Sequence, residues 1–552
     1  MSKIMHMRGF LTSSPGASPL AACSVGAACA VVLALAPAPA ATAAPATTAT
    51  TAATAATAAP ATTAAPATTA ATAAPGRTER SAGAGIPAGA GIPGSTRSLP
   101  LVPLSHERVL GTAPEQGLYR TGLDRFALVG VVWDDPGSEL RGRVRVRTRS
   151  TVTGEWSGWR DVEAHHADHG ADPGTAERSS RRVRGATAPL WVGDSDGVDV
   201  RVRPTGTGGE SGEDSEGGEG GEDSEGGEGG TALPSGLRLE LVDPGEDTGK
   251  AADTAKAGQA ADKGKAGEAA DKGKAGETAD KGEAADKGEA LPANLPADDP
   301  PRTELDTEAA IAASGANSDI TAFGATEIPE LDQAATESEM TRLQGPSRAK
   351  PHIGPRPRIV TRRGWGADES LRERGFVYTK KIKAAFVHHT ATGNKYTCAQ
   401  APSVIRGIYR YHVESMGWRD VGYNFLVDKC GNIYEGRAGG VAKAVLGAHT
   451  LGFNSDSMGI AVIGTYGANK PAGAAVTAVA RLTAWKLGLY GVDPSGKTYL
   501  TSAGGNLYPK GKNVRLNVIS GHRDGFATEC PGKRLYAKLG SARSSASRYQ
   551  GR

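Results

Sequence analysis

Apolar residues recur along two regions of this chain with the periods of regular structure, and long tracts between them carry no bulky apolar residue at all. In the first region, Phe126-Ala-Leu-Val-Gly-Val-Val-Trp133 is an unbroken apolar run of strand length. Gly142-Arg-Val-Arg-Val-Arg-Thr-Arg149 alternates apolar with basic residues, as a half-exposed strand does. Trp156, Trp159, Leu190-Trp191-Val192, Val198–Val202 and Leu237–Val242 continue the pattern. Short strands separated by turn residues predict an antiparallel β-sandwich-like domain over 104–247.

In the second region strands and helices mix. Lys383–Val387 reads as a strand, and so do Met458–Thr465 and Val514–Ser520. Tyr423–Val427 and Ile433-Tyr434 flank Asp428-Lys-Cys-Gly-Asn432 as a hairpin. Ala401–His412 has Val404, Ile408 and Tyr411 on one helical face, and Ala474–Leu489 carries Val476, Val479, Leu482 and Trp485. Strands mixed with helices predict an α/β domain over 351–545, with a central mixed sheet flanked by helices and a short tail at 546–552.

Composition confines folding to these two regions. The chain has 552 residues with 76 Gly, 33 Pro and only 5% aromatics. Residues 44–103 are rich in Ala, Thr and Pro, then in Gly and Ser, and read as a disordered, solvated spacer. The insert 205–232 repeats an acidic, glycine-rich unit and has nothing to bury. Residues 248–350 carry the nine-residue unit Ala-Ala-Asp-Lys-Gly-Lys-Ala-Gly-Glu at 260 and 269, which predicts a flexible tether. Residues 1–43 read as an export signal: Lys3 and Arg8, a short apolar core, then Ala38-Pro-Ala40 and Ala41-Thr-Ala43 as cleavage sites. The expectation is a secreted or cell-wall protein with no stable membrane span after cleavage. The net charge of +3 is near balance and gives no case for nucleic acid.

The candidate chemistry lies near the C-terminus. Gly521-His-Arg-Asp-Gly-Phe-Ala-Thr-Glu-Cys-Pro-Gly532 puts His522 and Cys530 in one glycine-bounded loop after a strand, and imidazole and thiolate are the donors zinc prefers. His388 and His389 end another strand. Neighbouring strand residues point to opposite faces, so one of the two serves a cleft while the other packs elsewhere. Two His and one Cys leave a fourth position for water, the pattern of a catalytic zinc. With Cys530 on metal, and Cys23 and Cys29 leaving with the signal, Cys398 and Cys430 remain. In an oxidising compartment they form a disulfide, the alternative being two reduced core thiols. His165, His166 and His169 cluster with Asp168. A metal site is one reading, but no apolar residues surround them and a solvated loop is expected.

Six motifs in order resemble the zinc-dependent N-acetylmuramoyl-L-alanine amidases of the peptidoglycan-recognition-protein and phage-amidase (type 2 amidase) family. They are Arg363-Gly-Trp-Gly-Ala367, Val387-His-His-Thr390, Gly417-Trp-Arg-Asp-Val-Gly-Tyr-Asn-Phe425, Ile433-Tyr-Glu-Gly-Arg437, Gly447-Ala-His-Thr450 with Asn454, and Gly521-His-Arg-Asp524 through Cys530-Pro-Gly532. The region 104–247 also looks like domains that precede such amidases in exported actinobacterial proteins. The resemblance implies His388, His522 and Cys530 as zinc ligands and Tyr423 as the catalytic tyrosine. It implies that His449, Asn454 and Arg437 line the groove for glycan and peptide. Phage members carry a lysine two residues before the cysteine. Thr528 stands there, as in the recognition-protein branch, and is the candidate for that catalytic place. Binding-only members lack the cysteine that Cys530 provides.

The expected function is therefore an exported zinc hydrolase, working as a monomer on peptidoglycan, that cleaves between N-acetylmuramic acid and L-alanine of the stem peptide. The alternatives are a non-catalytic peptidoglycan-binding protein, or a surface protein anchored to the wall through this domain.

Overall fold

The computed structural model describes residues 92–104, 114–164, 168–205, 232–246, 307–346 and 350–552. The export signal, most of the 44–103 spacer, the body of the acidic insert, the nine-residue repeats, His165 and His166 lie outside the described residues.

The first domain is built from β1 (Ser95–Pro100), β2 (Val102–Pro103), β3 (Gln116–Arg120), β4 (Phe126–Trp133), β5 (Gly142–Ser150), β6 (Arg160–Val162), β7 (Gly185–Ala186), β8 (Leu190–Pro204) and β9 (Arg238–Asp243). Every pairing among them is antiparallel. All nine strands belong to one sheet, in which the long strand β8 changes partners. Its first residues pair with β4, and from Ser195 onward it pairs with β3 and β5. Val129 and Val131 of β4 share one core with Val144 and Val146 of β5 and with Val200 and Val202 of β8. The domain starts before residue 104, because β1 closes the sheet edge against β9.

The second domain carries a seven-stranded mixed sheet. Its members are β10 (Glu327–Ile328), β11 (Ile359–Val360), β12 (Ala384–His389), β13 (Phe425–Val427), β14 (Ile433–Glu435), β15 (Ser457–Val462) and β18 (Ile519–Gly521), in the order β10-β11-β14-β13-β15-β12-β18. Helices cover both faces, as the mixed pattern predicts. Helices α4 (Gly473–Gly488), α5 (Lys533–Tyr536) and α6 (Leu539–Tyr549) bury Val479, Leu482, Trp485, Leu535 and Ala546 against Val387, Ile460 and Val462. Helix α3 (Ala401–Arg410) buries Val404, Ile405 and Ile408 on the other face with Leu426 and Ala461.

Three further expectations change. The stretch Val514–Ser520 is not one strand. β17 (Asn513–Asn517) pairs with β16 (Lys497–Thr501) in a separate two-stranded sheet, and the chain joins the main sheet only at β18. The tether ends earlier than residue 350. Within 307–346, α1 (Glu308–Gly315) is capped by Thr307 and α2 (Gln333–Gln344) by Asp332. This stretch packs Ile320 and Ile328 into the domain core and pairs Glu339 with buried Arg356. Its apolar residues are too sparse for a helical period to show. Helix α6 runs through Tyr549, and Gln550 donates from Nε2 to the Ala484 carbonyl, so the tail is shorter than 546–552.

The two domains share a core. Ala127, Leu128 and Val132 of β4, with Trp191, pack into the same cluster as α3. This explains why β4 has no polar face: both of its faces are covered. It also explains why α3 is buried nearly all round. On the helix face the pattern leaves polar, Arg406 donates from Nε to the Pro244 carbonyl at 2.8 Å. Just beyond α3, the Tyr411 hydroxyl donates to the Thr187 carbonyl at 3.0 Å. Among the described residues, no helix is long and apolar enough to cross a membrane.

Candidate metal centre

β12 and β18 are parallel neighbours, with Val387 opposite Gly521. His388 and His522 each follow this pair by one residue, so they emerge side by side at the carboxyl ends of β12 and β18, where open α/β sheets bind ligands. Their ring centroids are 4.5 Å apart. Cys530 returns from the loop after β18 and puts Sγ 3.8 Å from His388 Nδ1. His388 shares its strand face with Ala384 and Phe386. His389 points the other way, with its Nδ1 accepting from the Tyr466 amide at 3.4 Å. The alternation thus separates the two histidines as a strand requires.

A fourth donor arrives from the other domain. His169 lies with its ring 4.5 Å from that of His522 and 5.2 Å from that of His388. One ligand atom from each of His169, His388, His522 and Cys530 lies within 4.8 Å of every other, and all four residues are buried. The solvated-loop expectation for this histidine is overturned: His169 is 5% exposed and Asp168 3%. The sequence signal was present in His165-His-Ala-Asp-His169. Its apolar surroundings come from a domain more than 200 residues downstream, beyond the reach of a local pattern.

The donor set fits zinc. Burial, then the neighbouring His522, His169 and His449, holds His388 well below the ordinary imidazole range. Burial and then His169 push His522 down to about 3. Neutral imidazoles carry the lone pairs that metal binding needs. Burial pushes the Cys530 thiol well up, so this donor becomes a thiolate only when a cation faces it. His522 Nδ1 is buried without a hydrogen-bond partner, while its Nε2 donates to the Asp168 carbonyl at 3.1 Å. That contact fixes the tautomer with the Nδ1 lone pair turned into the cluster. The Thr450 hydroxyl stands 3.4 Å from His388 Nε2 and 3.1 Å from His449 Nδ1.

Of the other anticipated residues, Tyr423 and His449 stand beside this centre. The Tyr423 ring is buried 5.5 Å from that of His388, and burial pushes its hydroxyl pKa well up. His449 lies 5.3 Å from His388 by ring centroids. Asn454 holds a loop: its Oδ1 accepts from the His449 and Thr450 amides, and its Nδ2 donates to Asp172 Oδ1 at 2.7 Å. Arg437 donates to Glu177 from both terminal nitrogens, at 2.8 and 2.9 Å. Thr528 is half-buried, and its Oγ1 accepts from the Cys530 amide at 3.2 Å. Cys398 and Cys430 are disulfide-bonded, and Cys530 is the free cysteine among the described residues. Asp172 and Glu177 carried no sequence signal, being two more acids in a polar stretch.

Comparison with known proteins agrees with this architecture. A family model described as N-acetylmuramoyl-L-alanine amidase matches residues 378–533, and one described as Rv3811 N-terminal galactose-binding domain-like matches residues 39–220. The chain is 32% identical over 181 residues to peptidoglycan-recognition protein SC2 of Drosophila simulans, covering 33% of this chain and 84% of the relative. It is 30% identical over 185 residues to peptidoglycan-recognition protein SC1a of Drosophila melanogaster, covering 33% and 83%. Among solved structures, wild-type Drosophila PGRP-LB is 27% identical, with 33% of this chain and 92% of that chain covered and a TM-score of 0.26. The architecture is thus a galactose-binding-like domain followed by an amidase domain, and through its C-terminal third the chain belongs to the family of peptidoglycan-recognition proteins and type 2 N-acetylmuramoyl-L-alanine amidases.

Proposed function

We propose that this protein is an exported zinc-dependent N-acetylmuramoyl-L-alanine amidase. It hydrolyses the amide between the lactyl group of N-acetylmuramic acid and L-alanine of the stem peptide. The observation that carries this reading is the convergence of His388, His522 and Cys530 at the carboxyl ends of β12 and β18. These three residues would hold the ion. When bound, zinc supplies the acidification of a water and the polarisation of an amide carbonyl.

The chain's own groups do the rest. The hydroxyl of Tyr423 stays protonated in its buried setting and is suited to donate to a developing oxyanion. Thr450 steadies His388 from behind the metal position. Thr528 shapes the turn that presents Cys530, and its hydroxyl is the nearest candidate for a further substrate contact from that loop. Arg437 is suited to pair with a stem-peptide carboxylate, and His449 and Asn454 to form the adjoining wall. Peptidoglycan lies outside the membrane, in keeping with the expected export signal.

A second reading, a peptidoglycan-binding protein without hydrolysis, is favoured by one observation. Four protein donors are the composition of a structural zinc rather than a catalytic one, and His169 makes four.

The test is zinc content and release of stem peptides from isolated cell walls. It uses the full chain as wild type, as His169→Ala, and as His169→Ala combined with Cys530→Ala. Peptides with a free N-terminal alanine from zinc-loaded His169→Ala, and none once Cys530 is gone, support the amidase. No release from zinc-loaded His169→Ala leaves the binding protein.

A further inference from the structure

The segment 168–177 of the galactose-binding-like domain does more than touch the metal centre. It runs from the four donors to Arg437 and is hydrogen-bonded along the way. Asp168 Oδ1 holds His169 Nδ1 at 2.9 Å, which fixes the tautomer whose Nε2 carries the lone pair. The Asp168 carbonyl orients His522. The Gly170 carbonyl and Asp172 Oδ1 both accept from the Asn454 side-chain amide, at 2.9 and 2.7 Å, and Asp172 Oδ1 also accepts from the Gly452 amide at 2.8 Å. Glu177 grips the Arg437 fork.

Two of these contacts use the chemistry proposed for a substrate. A carboxylate sits on the guanidinium suited to a stem-peptide carboxylate, and an imidazole sits where an open zinc site keeps its exchangeable position. The segment is also well anchored. It hangs from a domain whose β4 shares a core with α3, and Tyr411 and Arg406 tie the two domains by hydrogen bonds to the Thr187 and Pro244 carbonyls.

We propose that this protein folds as a latent enzyme, in which His169 is a fourth protein ligand that closes the metal centre and Glu177 occupies Arg437, so that peptidoglycan enters only when the segment 168–177 withdraws. The consequence for hydrolysis rests on the amidase reading. The closed coordination sphere does not.

The experiment reads coordination directly. The full chain is loaded with Co²⁺ in place of zinc and its visible bands are followed as azide is added. A parallel measurement follows the rate at which zinc is lost to a chelator. In the wild type the bands are expected to stay unchanged by azide. In His169→Ala they shift on adding azide, and zinc leaves about tenfold faster or more, the scale on which lost coordination-shell contacts act. Asp172→Ala removes no donor and loosens the segment's hold on Gly452, Asn454 and Ser455. It is expected to give azide-sensitive bands with a normal metal content, and it decides the matter should His169→Ala fail to fold.

A wild-type centre that takes azide as readily as His169→Ala overturns the proposal. So does a wild type that releases stem peptides as fast as either variant. A closed wild type and an open His169→Ala that both fail to cut cell walls would sink the amidase and leave the closed centre standing.

Discussion

Glu177 and Arg437 belong to different domains, lie 260 residues apart in sequence, and form a two-pronged ion pair with each side chain 8% exposed. Burial raises the carboxyl pKa, but Arg437, close and doubly bonded, pulls it below the ordinary range, with the Arg419 amide adding to the pull. Removing one partner of a buried pair strands the other charge. Glu177→Ala is therefore expected to cost about 3–5 kcal/mol of unfolding free energy. Replacing both partners by apolar residues should recover part of that. A group whose folded pKa is depressed contributes stability above its unfolded value and loses it as pH falls through the folded one. The gap between wild type and Glu177→Ala should thus begin to narrow as pH falls below about 4.5, the ordinary value, and go on narrowing through the lower folded one. Urea titrations of both proteins at pH 7 and pH 3 check this, and equal stability at pH 7 would rule it out.

Much of the site was legible because its chemistry is local. His388 follows an apolar strand, and His522 and Cys530 share one loop, so strand alternation and donor type were enough to nominate them. The choice between His388 and His389 needed either the family pattern or the sheet. His169 was visible but misweighted, because burial is a property of the fold and its cover comes from β12 and β18 in the other domain. The same blindness affected Phe126–Trp133 and Ala401–Arg410. Their elements were readable, but the reason β4 is apolar on both faces, and the reason Arg406 is buried, is that each covers the other. The stretch 307–346 was missed for a third reason. It contributes few apolar anchors, Ile320 and Ile328 chief among them, and is held largely by polar contacts such as Asn317 to Glu435.

The disulfide closes a loop of sequence separation 32 at the start of α3 and the β13–β14 turn. Chain-entropy reasoning gives such a loop about 4 kcal/mol of stabilisation. Cys398→Ser combined with Cys430→Ser should lower the unfolding free energy by about that amount and leave zinc content unchanged, because neither sulfur is one of the four donors. Loss of metal in this variant would show that the disulfide helps to hold the four donors in place.

Lys486 lies inside α4, fully buried, and donates from Nζ to the Val441 and Lys443 carbonyls. Burial pulls its pKa down to about 7 from 10.5. Between those values the unfolded chain binds a proton that the folded chain does not, so stability rises with pH across this window. Below about pH 7 both states are charged and the slope vanishes. Thermal unfolding from pH 7 to 9 should show wild type gaining stability relative to Lys486→Met. Parallel curves would mean that the ammonium stays charged in the fold.

Domain docking holds the segment 168–177 in the groove, and Gly130 gives a way to disturb it from a distance. Gly130 sits mid-strand in β4 against the Tyr411 ring. A Cβ placed there would lie 2.3 Å from the Tyr411 hydroxyl oxygen and 2.5 Å from the carbon that bears it. Tyr411 is fully buried and its hydroxyl is bonded to the Thr187 carbonyl, so the ring has little room to yield. Gly130→Ala is therefore an overpacking substitution, expected to cost about 1–3 kcal/mol. The strain falls on the seam between the domains rather than within either core. If docking keeps the metal centre closed, this variant should take azide on its Co²⁺ centre although it lies outside the segment and the donor set. Adding Tyr411→Ala should restore the room. A Gly130→Ala protein that is destabilised as expected yet as closed to azide as wild type would mean that the segment 168–177 holds the groove by its own contacts, without the β4–α3 seam.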